Sequence, residues 1–177
     1  MLTARELNNR LPYLFGGEID CLQKLGAMLP YDASVVMLGI GPALMALALL
    51  EGANNPIEFV GIDTDNFTGV EHLKAAGFGG MMKPIRADSQ SCFSLYPDES
   101  IDLLLIDACH RYECVVKDIA GWWSKVKKGG IVFFHDYVPL EPDNGVKDAV
   151  VDMIDETWEF VEFVGISAVY KKGELNG

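Results

Sequence analysis

Val35–Leu50 reads VVMLGIGPALMALALL. An apolar run opened by two valines ends on Gly39-Ile40-Gly41, and an alanine- and leucine-rich helix former takes over from Pro42 to Glu51. A strand with one wet face would alternate polar and apolar residues. Val35–Gly39 does not, so it belongs inside a sheet covered on both faces. Pro42 falls in the first helical turn, where its missing N–H and fixed φ are tolerated. The stretch predicts a strand, a glycine turn and a helix in direct succession.

The same grammar repeats outward. Ile57–Asp63 (IEFVGID), roughly Met82–Arg86, Ile101–Asp107 (IDLLLID) and Ile131–His135 (IVFFH) are further strand signals, separated by helix-length segments. That alternation defines a parallel sheet with crossover helices. Trp158–Phe163 and Ile166–Tyr170 are separated only by Val164-Gly165; a parallel crossover needs a dozen or more residues, so these two form an antiparallel hairpin. Helices are expected over Ile19–Leu29, from Glu113, and from about Val146 to Glu156. In the second of these, Val115, Ile119, Trp122 and Val126 share one face, with Lys125, Lys127 and Lys128 at its solvated end and Gly129-Gly130 as its stop, as the helix dipole and capping rules favour. The expected class is α/β: a Rossmann-like, doubly wound, mostly parallel seven-stranded sheet with a C-terminal antiparallel hairpin and helices on both faces. One domain spans 1–177, with a helical lead-in over 1–30.

Chemistry is expected where the strands end. Glycine at Gly39 and Gly41 permits a tight turn and close approach of the backbone to a ligand at a helix N-terminus; turn geometry alone is the other reason for glycine there. The third small position is Ala43, so the full G-x-G-x-x-G pattern is absent. Asp63 closes the second strand, where an acid can accept both ribose hydroxyls of a nucleoside, or where it or Asp65 can cap the helix starting near Thr68. Asp88, after the third strand, either takes an adenine amino group or caps a short helix. The fourth strand ends Asp107-Ala108-Cys109-His110 and the fifth His135-Asp136-Tyr137. His110 has the ordinary pKa of a general base, and Asp107 with Asp136 could share a hard cation such as Mg²⁺. His72, on a polar helix start, is expected in solvent.

The bulk numbers exclude several classes. Net charge is −12, from 26 acidic against 14 basic residues, which argues against broad binding to nucleic acid or an anionic membrane. Cys21, Cys92, Cys109 and Cys114 show no C-x-x-C spacing, so a zinc ribbon or dithiol redox motif has no support. The N-terminus lacks the apolar core of a signal peptide and no apolar run is long enough to span a bilayer; a cytoplasmic protein with reduced thiols is expected.

The order of glycine turn, acidic second strand, aspartate after the third and terminal hairpin resembles the class I S-adenosylmethionine-dependent methyltransferases. Within them, IDACHRYECVVKDIAGWW followed by KKGGIVFFHDY is similar to a subgroup with paired D-x-x-H and H-D-Y motifs that includes sugar O-methyltransferases of natural-product pathways. Gly145–Val150 also fits that subgroup. The resemblance implies S-adenosylmethionine as cofactor, with Gly39, Gly41, Asp63, Asp88 and Asp107 lining its site. It further implies His110 as base, Asp107 and Asp136 as ligands of a divalent cation, and a small-molecule hydroxyl as methyl acceptor. Where such relatives commonly carry an acid in the first strand, this chain has Met37. Two other readings stay open: a methyltransferase-like fold kept as a non-catalytic nucleoside-binding or assembly module, and a nicotinamide-dependent oxidoreductase. A homo-oligomer is compatible with all three.

Overall fold

The computed structural model describes residues 1–65 and 67–173. The strands are β1 (Ala33–Leu38), β2 (Ile57–Asp63), β3 (Met82–Arg86), β4 (Ile101–Ile106), β5 (Val126–Phe134), β6 (Trp158–Val164) and β7 (Ser167–Lys172). They form one seven-stranded sheet in the order β3-β2-β1-β4-β5-β7-β6. The first five are parallel, and β7 is antiparallel to both β5 and β6. The chain leaves β1 for β2 on one side and later returns to place β4 on the other. The carboxyl ends of β1 and β4 thus flank the switch point, where open α/β sheets hold their ligands.

Helices α1 (Ala4–Arg10), α2 (Glu18–Met28), α3 (Leu44–Gly52) and α4 (Thr68–Ala75) cover one face, while α5 (Tyr112–Trp122) and α6 (Val146–Met153) cover the other. The alternation inside β1 shows why both faces need cover: Val35 and Met37 point into the first layer and Val36 and Leu38 into the second. Every residue of α3 from Leu44 to Leu50 is buried, because α2 packs over it as closely as backbones allow. A Cβ on Gly26 would stand 2.2 Å from the Leu49 carbonyl oxygen, and one on Gly52 2.0 Å from that of Gln23.

Several expectations are corrected. The helix from Glu113 does not run to the lysines: α5 ends at Trp122, a 3₁₀ turn covers Trp123–Lys125, and β5 begins at Val126. Lys127, Lys128 and Gly129-Gly130 therefore lie within a strand. Lys125 pairs with Asp98 at 2.6 Å and Lys127 with Asp102 at 2.7 Å, so the first ties the 3₁₀ turn to the loop before β4 and the second ties β5 to β4, instead of capping a helix. Pro42 precedes α3, whose N-cap is Ala43 in a left-handed conformation (φ 57°). That residue must be small, since Gly69 of α4 leaves only 2.6 Å between its own notional Cβ and that of Ala43. The last helix stops at Met153, short of Glu156. His72 is half-buried with Nδ1 2.9 Å from the Pro42 carbonyl oxygen, bracing the glycine turn from α4. The lead-in holds two helices; the first is closed by a Thr3–Glu6 capping box.

Candidate active site

Backbone hydrogen bonds bring the strand ends into line. Gly39 N–H donates to Ile62 O at 2.8 Å, Asp107 N–H to Leu38 O at 2.8 Å, and His135 N–H to Ile106 O at 3.0 Å. A cavity of about 390 Å³ opens over this edge, lined by Gly39, Gly41, Asp63, Asp88 and Asp107 among others. Gly39 is glycine because the β4 loop passes against it: a Cβ there would meet the Asp107 carbonyl oxygen at 1.9 Å, at a φ of +82°. Gly41 faces the cavity more freely, its notional Cβ 3.6 Å from the Tyr13 hydroxyl.

The acids at the strand ends have distinct partners. Asp63 does not cap α4, whose N-cap is Phe67 with no side-chain bond. Its Oδ2 accepts the Ile40 N–H at 2.7 Å and the Gly41 N–H at 3.2 Å, while Oδ1 accepts the Asp65 N–H at 3.0 Å. One carboxylate thus holds the glycine turn in place. Asp88 does serve as a cap, its Oδ1 accepting the Gln90 N–H at 3.0 Å, while still lining the cavity.

Asp107 is the junction of a second group. Its Oδ2 accepts the Tyr13 hydroxyl at 2.5 Å, and its Oδ1 lies 3.4 Å from His110 Nε2 and 3.3 Å from His135 Nδ1. Asp136 Oδ2 faces the same two histidines, 3.2 Å from His110 Nε2 and 2.9 Å from His135 Nδ1. Asp136 reaches them from a left-handed backbone, φ 52°, a strain tolerated at sites that other contacts fix. Tyr13 stacks on His135 with ring centroids 5.2 Å apart. Its loop is templated from α1: Asn8 Oδ1 accepts the N–H of Tyr13 and of Leu14, both at 2.9 Å. Beneath, the fully buried Glu18 accepts the N–H of Phe15 and Ile166 and the Ser167 hydroxyl, with its Oε2 3.6 Å from His135 Nε2.

Electrostatics follow from this packing. Burial works against the positive charge of His135, yet the facing carboxylates of Asp107, Asp136 and Glu18 push its pKa up to about 12. Burial likewise opposes charge on Asp107, but hydrogen bonds from His110, His135 and Tyr13 hold its carboxyl below the usual range. The hydrogen bond to Asp107 raises the pKa of His110, with burial opposing and the charges of Asp107 and Asp136 adding to the rise. A smaller cavity of about 290 Å³ opens beside this imidazole, walled by Tyr13, Phe15, His135, Asp136 and Asn144 among others. Tyr13 lines both cavities.

One acid in the larger cavity is out of keeping with its surroundings. Asp118 is 1 % exposed on the core side of α5, beside Val115, Ile119 and Trp122, and its Oδ1 accepts the Ser89 hydroxyl at 2.6 Å. Burial pushes its pKa up to about 6, against the help of Ser89 and with Asp88 adding to the rise. A carboxyl that binds its proton more tightly when folded loses stability as pH climbs from its ordinary value through about 6. Tenfold in proton affinity is about 1.4 kcal/mol, so the full penalty above that pH is at most on the order of 3 kcal/mol. Asp118→Asn is therefore expected to melt higher than wild type at pH 8 and level with it near pH 4. Equal midpoints at pH 8 in differential scanning calorimetry would remove the penalty.

The fold brings every sequence-predicted site residue to one edge: Gly39, Gly41, Asp63, Asp88 and Asp107 line the larger cavity and His110 and Asp136 the smaller. Met37, by contrast, is buried in the first core layer. Asp107, His110 and Asp136 present ligand atoms within 4.8 Å of one another, a spacing that a metal ion could bridge. Tyr13, Glu18 and Asp118 were missed by sequence reasoning. Only Asp118 had left a signal, as an acid one position before the apolar residue Ile119 on a face otherwise read as core.

Carboxylates on consecutive strand ends around a glycine turn occupy the edge at which open α/β sheets bind their ligands. Residues 36–137 match the family model described as a methyltransferase domain, and the chain belongs to that family. No curated protein matches it by sequence. Among solved structures it is similar to the O-methyltransferase TomG from Streptomyces achromogenes, involved in tomaymycin synthesis and solved with S-adenosylmethionine, at 12 % identity over 97 % of this chain and 88 % of that one, TM-score 0.71. A protein from Corynebacterium glutamicum aligns at 16 % identity over 98 % of this chain and 90 % of that one, TM-score 0.72. The cofactor-bound protein Rv0187 from MTB aligns at 16 % identity over 92 % and 82 %, TM-score 0.73. No helix among the described residues is long and apolar enough to cross a membrane.

Proposed function

We propose that the protein is an S-adenosylmethionine-dependent O-methyltransferase acting on a small hydroxylated molecule, with His110 as general base. The observation that carries this reading is the pair of cavities that share Tyr13 in their walls, one lined by strand-end carboxylates and the other by an imidazole. When bound, the cofactor supplies an electrophilic sulfonium methyl group. The protein's part is to hold donor and acceptor in line and to take the hydroxyl proton.

On this reading Asp63 serves the ribose and Asp88 the adenine amino group; both line the larger cavity beside the glycine turn. The second cavity is open beside His110, which favours an enzyme over a binding module that has lost its acceptor. His135 lies between Asp107 and Asp136 and offsets part of their negative charge, while His110 faces the smaller cavity. The net charge of −12 argues against nucleic acid as the acceptor. Residues 1–177 are proposed to act as one cytoplasmic domain.

A divalent cation, if the protein uses one, would be held by Asp107, Asp136 and His110, whose donor atoms are already gathered. It would polarise the acceptor hydroxyl as a Lewis acid. Two carboxylates with one imidazole suit manganese, iron or zinc better than magnesium, which prefers oxygen ligands alone. Nε2 of His110 faces both carboxylates, so coordination there would take the nitrogen that otherwise hydrogen-bonds to Asp107.

Calorimetric titration with S-adenosylhomocysteine tests the cofactor site. Asp63→Ala removes the acceptor for three backbone N–H groups and is expected to weaken binding at least 100-fold. Unchanged affinity would take Asp63 out of the site.

A further inference from the structure

A further cavity lies away from the strand ends that carry the site. It measures about 620 Å³, against about 390 and 290 Å³ for the two at the site. It opens where α2 ends, beside the first residues of β5 and the last of β7, the opposite end of the sheet. Leu25, Leu29, Ile131 and Val169 form its floor. At its mouth Met28 is 78 % and Val161 48 % exposed, so apolar surface continues outward from the floor. Large apolar pockets with a few convergent polar groups are the usual form of small-molecule sites.

Charge selects the ligand. Lys24, Lys127, Lys128 and Lys171 ring this floor, in a protein whose net charge is −12. Lys127 is paired with Asp102 and Lys171 with Glu159; Lys24 and Lys128 have no ion pair among the described residues. Of the acids in the lining, Asp102 is taken by Lys127, and Glu162 accepts the Cys21 thiol at 3.7 Å. Two unpaired ammonium groups over an apolar trough call for an anionic head on an apolar tail. A second copy of the chain would set the two lysine crowns against each other, and a cationic amphiphile would meet them head-on.

We propose that this groove is a binding site for a free single-chain acyl carboxylate, its tail on Leu25, Leu29 and Val169 and its head between Lys24 and Lys128. The inference is independent of the methyl-transfer reading, because its test measures neither cofactor nor turnover. The probe is 11-(dansylamino)undecanoic acid, followed by fluorescence and displaced by decanoate, dodecanoate and tetradecanoate. Each buried methylene is expected to add about fourfold in affinity until the trough is full. Dodecanol and dodecyltrimethylammonium are expected to displace at least tenfold more weakly than dodecanoate. The double substitution Lys24→Glu with Lys128→Glu lies on exposed side chains and is expected to weaken dodecanoate at least tenfold, while its thermal midpoint stays near wild type. Met28→Glu, at the mouth, should weaken it by a similar factor without touching the lysines. Absence of probe binding, equal displacement by dodecyltrimethylammonium, or indifference to both sets of substitutions overturns the proposal. So does a dimer that buries this face, or binding only to phosphatidylglycerol vesicles and not to monomeric dodecanoate.

Discussion

His110→Ala is expected to lower methyl transfer by about 10²–10⁴-fold, the usual worth of a general base, while leaving S-adenosylhomocysteine affinity within about twofold. The split follows from where the imidazole sits. His110 lines the smaller cavity and not the larger one, so its loss deprives the acceptor of a base without disturbing the cofactor walls. Its hydrogen bond to Asp107 raises its pKa above the ordinary value of 6.5. Only the neutral imidazole accepts a proton, so wild-type rate should fall as pH drops through that raised pKa, with a midpoint above 6.5. The variant should lose this limb. Release of S-adenosylhomocysteine from pH 5.5 to 9, with any acceptor the wild type turns over, reads both effects; a variant with wild-type rate and an unchanged limb removes His110 from the mechanism.

Gly39→Ala carries the largest expected effect on the fold. The added Cβ would lie 1.9 Å from the Asp107 carbonyl oxygen and 2.6 Å from its carbonyl carbon, at a φ of +82°. Both atoms are backbone, so no side chain can rotate away. The left-handed conformation alone costs an L-residue about 1–2 kcal/mol, and shifting the end of β4 adds to that. A total of about 3 kcal/mol or more corresponds to a midpoint drop of at least about 6–12 °C for a chain of this size. Gly41→Ala is the informative partner. Its Cβ meets nothing closer than the Tyr13 hydroxyl at 3.6 Å, at a φ of +46°, so the fold should lose only about 1–2 kcal/mol. The methyl group nonetheless enters the cofactor cavity, and affinity for S-adenosylhomocysteine should fall. Circular dichroism melts with calorimetric titration separate the two glycines; equal midpoints for both variants would contradict the close approach at Gly39.

The same contrast shows what the chain displays openly and what it hides. Strands such as Ile57–Asp63 were legible to the residue because apolar runs bounded by turn signals have few other uses. The convergence of Asp63, Asp88 and Asp107 was legible too, since a parallel order puts consecutive carboxyl ends on one edge. The end of α5 was not. Val126 continues the helical spacing of Val115, Ile119 and Trp122, yet it faces the same core from the start of β5. Periodicity cannot separate a helix from a strand that resumes on its buried side. Glycines after lysines likewise imitate a helix stop, when here a Cβ on Gly130 would stand 2.8 Å from Val126 Cγ1 inside the strand. Tyr13 and Glu18 were hidden for another reason. They reach the site from the lead-in only because α2 packs on α3, with Gly26 against the Leu49 carbonyl, and no local pattern encodes that meeting. The charge state of His135 depends on Glu18 together with Asp107 and Asp136, so it too became visible only once the layers had closed.

Thermal unfolding in parallel with S-adenosylmethionine, S-adenosylhomocysteine and NAD tests the central claim most directly. A ligand present at about 100 times its dissociation constant stabilises the folded protein by about 2.7 kcal/mol, roughly 5–11 °C at this size. The predicted result is a shift of that order with both sulfur nucleosides and none with NAD. A shift with NAD alone, or with none of the three, would contradict the assignment of the strand-end cavity to S-adenosylmethionine.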